Sequence, residues 1–228
     1  MLDARDDQSE QRSRAATLDE VIEELIATHT ADEAEVVAAR REYEERRGRV
    51  FEDEDLWERW SAAFVEWYVV ERLAPGGDRP LAARSLVAGS DDDARPPREA
   101  AIRAWLTSHR SLFEVVGLDD GRVELLDLFG RGAFSVAEQR AMHGVEVGDI
   151  AELRLLGYDG DVVFGRTFIF HPRGVREAIL AHARAQAVSG ADRRAVIDHV
   201  AGLRVKVERY RHMAPAKVYE LGVLRVQG

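Results

Sequence analysis

Histidines at 29, 109, 143, 171, 182, 199 and 212 are the side chains best suited to acid–base chemistry or metal ligation, so their neighbours decide what they can do. Only Asp198-His199 sets a carboxylate beside an imidazole. Adjacent residues on a helix diverge by about 100°, so that pair does not share a ligand face. His109 precedes the first expected strand and His171 closes the last, so the two meet if both ends of a barrel coincide. Bonding the frayed ends of those elements is their simpler role. Asp127, between Leu126 and Leu128, either faces solvent or pins the turn at Gly130. Asp91-Asp92-Asp93 lacks the spaced ligands and turn glycine of a calcium loop and reads as solvated. No phosphate-binding glycine loop, nucleophile elbow or His-Glu-x-x-His zinc motif is present, and the chain has no cysteine. Neither a metal nor a cofactor is expected.

The strongest binding feature is the C-terminal basic series Arg204, Lys206, Arg209, Arg211, His212 and Lys217, with Tyr210 and Tyr219 interleaved. Guanidinium forks suit phosphates or carboxylates, and aromatic faces suit bases. On a helix these cations wrap around the cylinder and form no single stripe. Charge is also divided along the chain. Residues 1–55 hold 8 basic and 18 acidic side chains, whereas residues 172–228 hold 11 basic and 5 acidic, within an overall charge of −10. The basic tail therefore either pairs with the acidic N-terminal helices, recognises an acidic partner or a second copy, or binds nucleic acid against the field of the whole chain. The basic residues are 30 Arg with only Lys206 and Lys217, a bias of the kind a GC-rich genome produces.

These residues must be positioned by elements that the patterning predicts. Residues 1–15 carry too few apolar groups to offset ordering entropy and are expected to be disordered. Thr17-Leu18-Asp19-Glu20 has the form of a capping box, followed by Val21, Ile22, Leu25 and Ile26 at helical spacing. A second helix is predicted over Asp32 to Arg47, stopped by Gly48. A third, Asp53 to Leu73, aligns Leu56, Trp57, Trp60, Phe64, Trp67 and Tyr68, which at that spacing form core. A short helix from Pro80 to Val87 and one opened by Pro97 complete the helical region, 16–110.

At Leu112 the period turns alternating. Strands are predicted over Leu112–Leu118, Arg122–Phe129, Ala133–Ala137, Ile150–Gly157 and Asp161–Phe170, joined by turns such as Asp119-Asp120-Gly121 and Tyr158-Asp159-Gly160. Residues 111–171 then make a small barrel-like unit. Residues 172–228 return to helices over Pro172–Ala187 and Ala191–Tyr210, and Ala216–Val226 alternates in part, as an edge strand would.

Val65-Glu66-Trp67-Tyr68, Trp105 through Val115, Val123-Glu124-Leu125-Leu126-Asp127-Leu128-Phe129 and Gly148-Asp149-Ile150-Ala151-Glu152-Leu153-Arg154 resemble uncharacterised bacterial proteins that often carry a SEC-C motif. The likeness covers residues 56–170 and implies no reaction. A SEC-C module is a cysteine-rich zinc site, so zinc and any partner read through it do not carry over to a chain without cysteine.

The expected fold is α+β: an N-terminal helical region, a five-stranded antiparallel barrel-like sheet and a C-terminal helical hairpin. No apolar run reaches the roughly 18 residues of a membrane span, and the acidic opening is unlike a signal peptide, which points to the cytoplasm. The function expected is non-enzymatic binding through protein contacts. Nucleic-acid binding by barrel and tail is the alternative, and an unrecognised hydrolase is the third reading.

Overall fold

The computed structural model describes residues 3–73, 76–86, 95–119, 121–130, 132–138 and 144–223, apart from the side chains of 3–13 and 95–96. Asp91–Asp93 and His143 lie outside the described residues. Helices α1 (Asp3–His29), α2 (Glu33–Arg47), α3 (Trp57–Val70), α4 (Leu81–Arg84) and α5 (Arg95–Leu106) come first. Strands β1 (His109–Asp119), β2 (Arg122–Asp127), β3 (Ala133–Ala137), β4 (Ile150–Tyr158), β5 (Asp161–Phe164) and β6 (Ile169–Phe170) follow, then α6 (Arg176–Ser189), α7 (Arg193–Arg209) and α8 (Pro215–Leu221). The fold is α+β, with helices on either side of the strands in sequence. No described helix is long and apolar enough to cross a membrane.

Local chemistry accounts for most boundaries. Asp32 caps α2 by accepting from the Glu35 amide at 3.2 Å, and Gly48, at φ 90°, turns the chain off its end with its amide on the Glu44 carbonyl. Asp192 caps α7 through the Arg194 and Ala195 amides. Asp159 and Gly160 both have positive φ, as the tight β4–β5 hairpin requires. Three expectations need correction. The helix expected to open at Thr17 begins at Asp3, so the Thr17–Glu20 tetrad is interior to α1 and most of the segment expected to be disordered has helical backbone. The final strand expected at 161–170 is two strands, broken around Gly165, whose amide bonds the Arg154 carbonyl. The edge strand expected over 216–226 is replaced in its described part by α8, in which Val218 and Tyr219, adjacent in sequence, are both buried, as helical but not alternating packing allows.

The sheet runs β3-β2-β1-β4-β5, antiparallel throughout, with β6 beside β4, and it curls into a half-barrel that brings β3 up against β5. Phe113, Val115, Val123, Leu125, Val136, Ala151, Leu153 and Leu155 fill its inner face. The alternate positions face the helices. Leu112 and Ile150 pack with α6, α7 and Tyr219, while Leu156 and Ile169 join the core made by Trp60, Phe64, Trp67, Tyr68 and Trp105 with Ile22, Leu25 and Val205. The aromatic row of α3 is thus interior, and one core draws on the N-terminal helices, the sheet and α7.

Candidate functional site

Pairing β1 against β4 sets Arg110 opposite Arg154, Leu112 opposite Glu152 and Glu114 opposite Ile150, so four ionisable side chains lie on the helix-facing side of the ladder; Glu114 pairs with Arg176 of α6, and the other three meet in one network. Helices bring the rest: Arg47 from the last turn of α2, Glu66 from α3, Glu71 just beyond it, and Asp198 from α7. Arg47 reaches Asp198 Oδ1 and Glu152 Oε2, each at 2.7 Å. Arg110 donates from Nη1 to Glu152 Oε1 and Asp198 Oδ1, both at 2.9 Å, and from Nε to Glu71 at 2.9 Å. Arg154 bonds Glu71 and, at 2.9 Å, the Ser108 hydroxyl. Arg46 Nη2 lies 2.9 Å from Asp198 Oδ2.

Burial alone would push these carboxyls up. The Arg47 and Arg110 guanidiniums outweigh it at Glu152, which is held down to about 2, and Arg110 with Arg154 holds Glu71 lower still. At Glu66 burial wins. Its carboxyl is raised despite Arg154 and a 2.7 Å bond from the Thr167 hydroxyl. The space among these groups is a cavity of about 20 Å³ bounded by Tyr43, Arg47, Glu66, Arg110, Glu152 and Arg154, room for about one water molecule. The network is a brace between helices and sheet, with no room for a substrate. Alternation of charged with apolar residues at Arg110, Glu152 and Arg154 was its only sequence signal.

A second cluster lies at the inner face, where β1 begins. Asp127 Oδ1 accepts from the Ser111 hydroxyl at 2.6 Å and the Phe129 amide at 2.9 Å, and Oδ2 lies 2.8 Å from His109 Nε2. Burial raises the Asp127 carboxyl, yet bonds from His109, the Gly130 amide, Ser111 and Phe129 hold it down to about 2. Asp127 therefore pins the turn, the second of the two roles its position suggested. The order of contacts is not that of a hydrolytic triad. The carboxylate sits between Ser111 and His109, so the hydroxyl donates to Asp127, a weak base held down to about 2, and no imidazole is placed to take its proton. His109 and His171 do not meet. His109 pairs with Leu155, while His171 follows the Phe170–Ala151 pair and bonds its amide to the Ile150 carbonyl, so they flank β4 five residues apart along it, roughly 17 Å at strand rise. The His171 ring instead contacts the Tyr219 hydroxyl at 2.6 Å, and burial pushes its pKa down to about 3. Asp198 and His199 diverge: one joins the brace, the other reaches the Gly222 carbonyl at 2.7 Å.

The C-terminal cations do not converge on one surface. Arg204 bonds the Phe170 carbonyl and Glu208 of its own helix, and Arg211 folds back to the Glu208 carbonyl. Arg209 reaches the Arg49 carbonyl, lies 3.7 Å from Glu54 and stands over the Phe51 ring. Lys217 sits 3.4 Å from Glu220, and Lys206 is exposed. Of the acidic N-terminal half, this tail meets Glu54; Arg98 and Arg166 pair with Glu24 and Glu23 of α1, and Arg72 with Glu35 and Glu42 of α2.

Among the described residues no group of three His, Asp or Glu is placed to hold a metal ion. Two open grooves lie elsewhere among the described residues. One, of about 460 Å³, is lined by His29, Asp32, Glu35, Tyr68 and Arg84, and another, of about 500 Å³, by Arg40, Glu44, Arg49, Phe51 and Trp57. A family model described as a family of unknown function, DUF7986, matches residues 12–193. Nothing among curated proteins or solved structures matches the chain.

Proposed function

Because the chain belongs to the family of unknown function DUF7986, which assigns no reaction, we propose from its geometry that it is a non-enzymatic binding protein acting through protein–protein contacts. The observation that carries this reading is at the bulged end of β1. The ladder register slips between Val115 and Gly117, leaving Val116 47% exposed. The backbone of Gly148 and Asp149 bonds Val115, and Val147, next in the chain, is 62% exposed. Two exposed valines at one strand end supply apolar contact area, whereas the ionic groups best suited to chemistry are locked in the brace.

The nucleic-acid reading has less support, since four of the five cations it needs are engaged by carboxylates or carbonyls of this chain. The hydrolase reading lacks an imidazole base beside Ser111, whose hydroxyl donates to a carboxylate committed to His109 and the turn. Likeness to proteins that carry SEC-C adds no activity. A chain without cysteine is indifferent to the redox state of its compartment, and a cytoplasmic site of action is part of the proposal.

The test is a photo-crosslinking residue at Val147, with Val188, 77% exposed at the end of α6, as the control position. A discrete protein adduct from position 147, absent from 188 and lost on Val116→Asp, is the expected result; an adduct to a second copy identifies a homo-oligomer. Equal adducts from both positions, or tight salt-sensitive retention on a single-stranded oligonucleotide, overturn the proposal.

A further inference from the structure

We infer that His109 and Arg193 form a binding corner for one carboxylate group, at the end of the half-barrel where β1 begins, independent of the valine pair. Charge comes first. Arg46, Arg47, Arg72, Arg98, Arg110, Arg154, Arg173, Arg176 and Arg204 each meet a carboxylate within 4 Å. Arg193, the first residue of α7, meets none among the described residues. Its one hydrogen bond runs from Nη2 to His109 Nδ1 at 3.3 Å. A guanidinium has five N–H donors and accepts nothing, so most of this fork is left to other acceptors, and His109 Nδ1 must be the accepting nitrogen. The other ring nitrogen then donates to Asp127.

The corner is rigid. The Asp127 side chain is 1% exposed and is fixed by Ser111 and by the turn amides, while the His109 side chain it holds is 29% exposed. Phe113 and Phe134 flank the imidazole at 5.7 and 5.8 Å. Gly130 completes the wall. A Cβ there would lie 2.2 Å from Asp127 Oδ2 and 3.3 Å from Arg193 Nη1, so only glycine lets the β2–β3 turn close on both groups. Arg193 also stands at the amino end of a 17-residue helix whose first amides are answered by the Asp192 cap, so the fork and not the helix end is what a ligand meets. A bound carboxylate gains a fork that suits its two oxygens.

The site fits one negative charge. It offers one guanidinium without a counter-ion, in a chain of net charge −10, beside an Asp127 carboxylate already committed to its own bonds. A nucleic-acid backbone would bring a row of phosphates to that field. The carboxylate comes either from a free small acid or from a side chain of a bound protein, and the same chemistry serves both.

The test is long-range proton–nitrogen correlation of the imidazoles in the full chain, titrated with sodium acetate, blocked glutamate (N-acetyl-glutamate amide), its glutamine counterpart and inorganic phosphate. Saturable shifts of the His109 ring by acetate and blocked glutamate, and none by the glutamine compound, are expected. Saturation by acetate with none by blocked glutamate restricts the site to small free acids and still supports it. Arg193→Gln should weaken acetate binding by about tenfold or more while leaving the melting temperature within about 2 °C, and Arg193→Lys should restore part of it. Shifts that never saturate, shifts unchanged in Arg193→Gln, or saturation by phosphate alone overturn the inference.

Discussion

Replacing Arg47 with methionine keeps the side-chain stem against Tyr43 and Trp60, whose rings lie about 5 Å from its guanidinium carbon, and removes the charge. Glu152 loses its Oε2 partner and Asp198 loses one of its donors, while Arg110 still bonds both abandoned carboxylates and Arg46 still meets Asp198. Holding the Glu152 carboxyl down to about 2 from its usual 4.5 is equivalent to roughly 3 kcal/mol at neutral pH. Breaking a buried pair from one side costs about 3–5 kcal/mol. With Arg110 retained, the expected loss for Arg47→Met is near the lower figure, about 3 kcal/mol by urea unfolding at pH 7. The pH dependence is the sharper measurement. A carboxyl whose pKa is depressed on folding stabilises fully above its unfolded pKa, about 4.5, and this contribution fades as pH falls toward about 2. Wild type should therefore lose stability over that window, and its advantage over Arg47→Met should narrow with it. A loss below about 1 kcal/mol at pH 7, or a difference that does not change with pH, would refute the brace as the source of this stability.

Gly130→Ala should cost about 1–3 kcal/mol, because its Cβ would meet Asp127 Oδ2 and displace a buried carboxylate; an unchanged melting temperature would mean the turn can shift freely. Trp60→Ala and Trp67→Ala should each cost about 3–5 kcal/mol in urea, and Trp57→Ala, at a half-buried position, clearly less. Reversing Arg204, Arg209 and Arg211 to glutamate sets like charges beside Glu208 and Glu54, so the melting temperature should fall, most at low salt. Excess chelator should leave the melting temperature unchanged, since no described ligand set is dense enough for a metal.

What could be read in the residues was what depends on near neighbours. Alternation and Gly-bearing turns placed β1–β4 to within a few residues, and Asp32 with Gly48 marked both ends of α2. The start of α1 was missed because a capping box is a local signal that does not stop a helix already running through it. The Ala216–Val226 pattern misled because burial of α8 against α6 and α7 overrode weak alternation. Asp127 stood out alone, but its partners follow from hairpin pairing, and the arrival of α7 adds Arg193 to its neighbour His109. The brace was least legible: Arg47 joins residues 105 and 151 positions away, separations that no periodicity records.

Those separations also impose an order on biosynthesis. The chain leaves the ribosome with Arg47 first, then Glu71, Arg110 and Glu152, and Asp198 last. Until α7 emerges, Arg47 lacks one of its two carboxylates and the N-terminal layer has no C-terminal wall. The early helices can form locally, but their docking onto the sheet waits for some two hundred residues and for the closure of loops longer than a hundred. During that interval the aromatic row of α3 is exposed to other chains, so aggregation of this protein is a hazard of its synthesis rather than of its finished state.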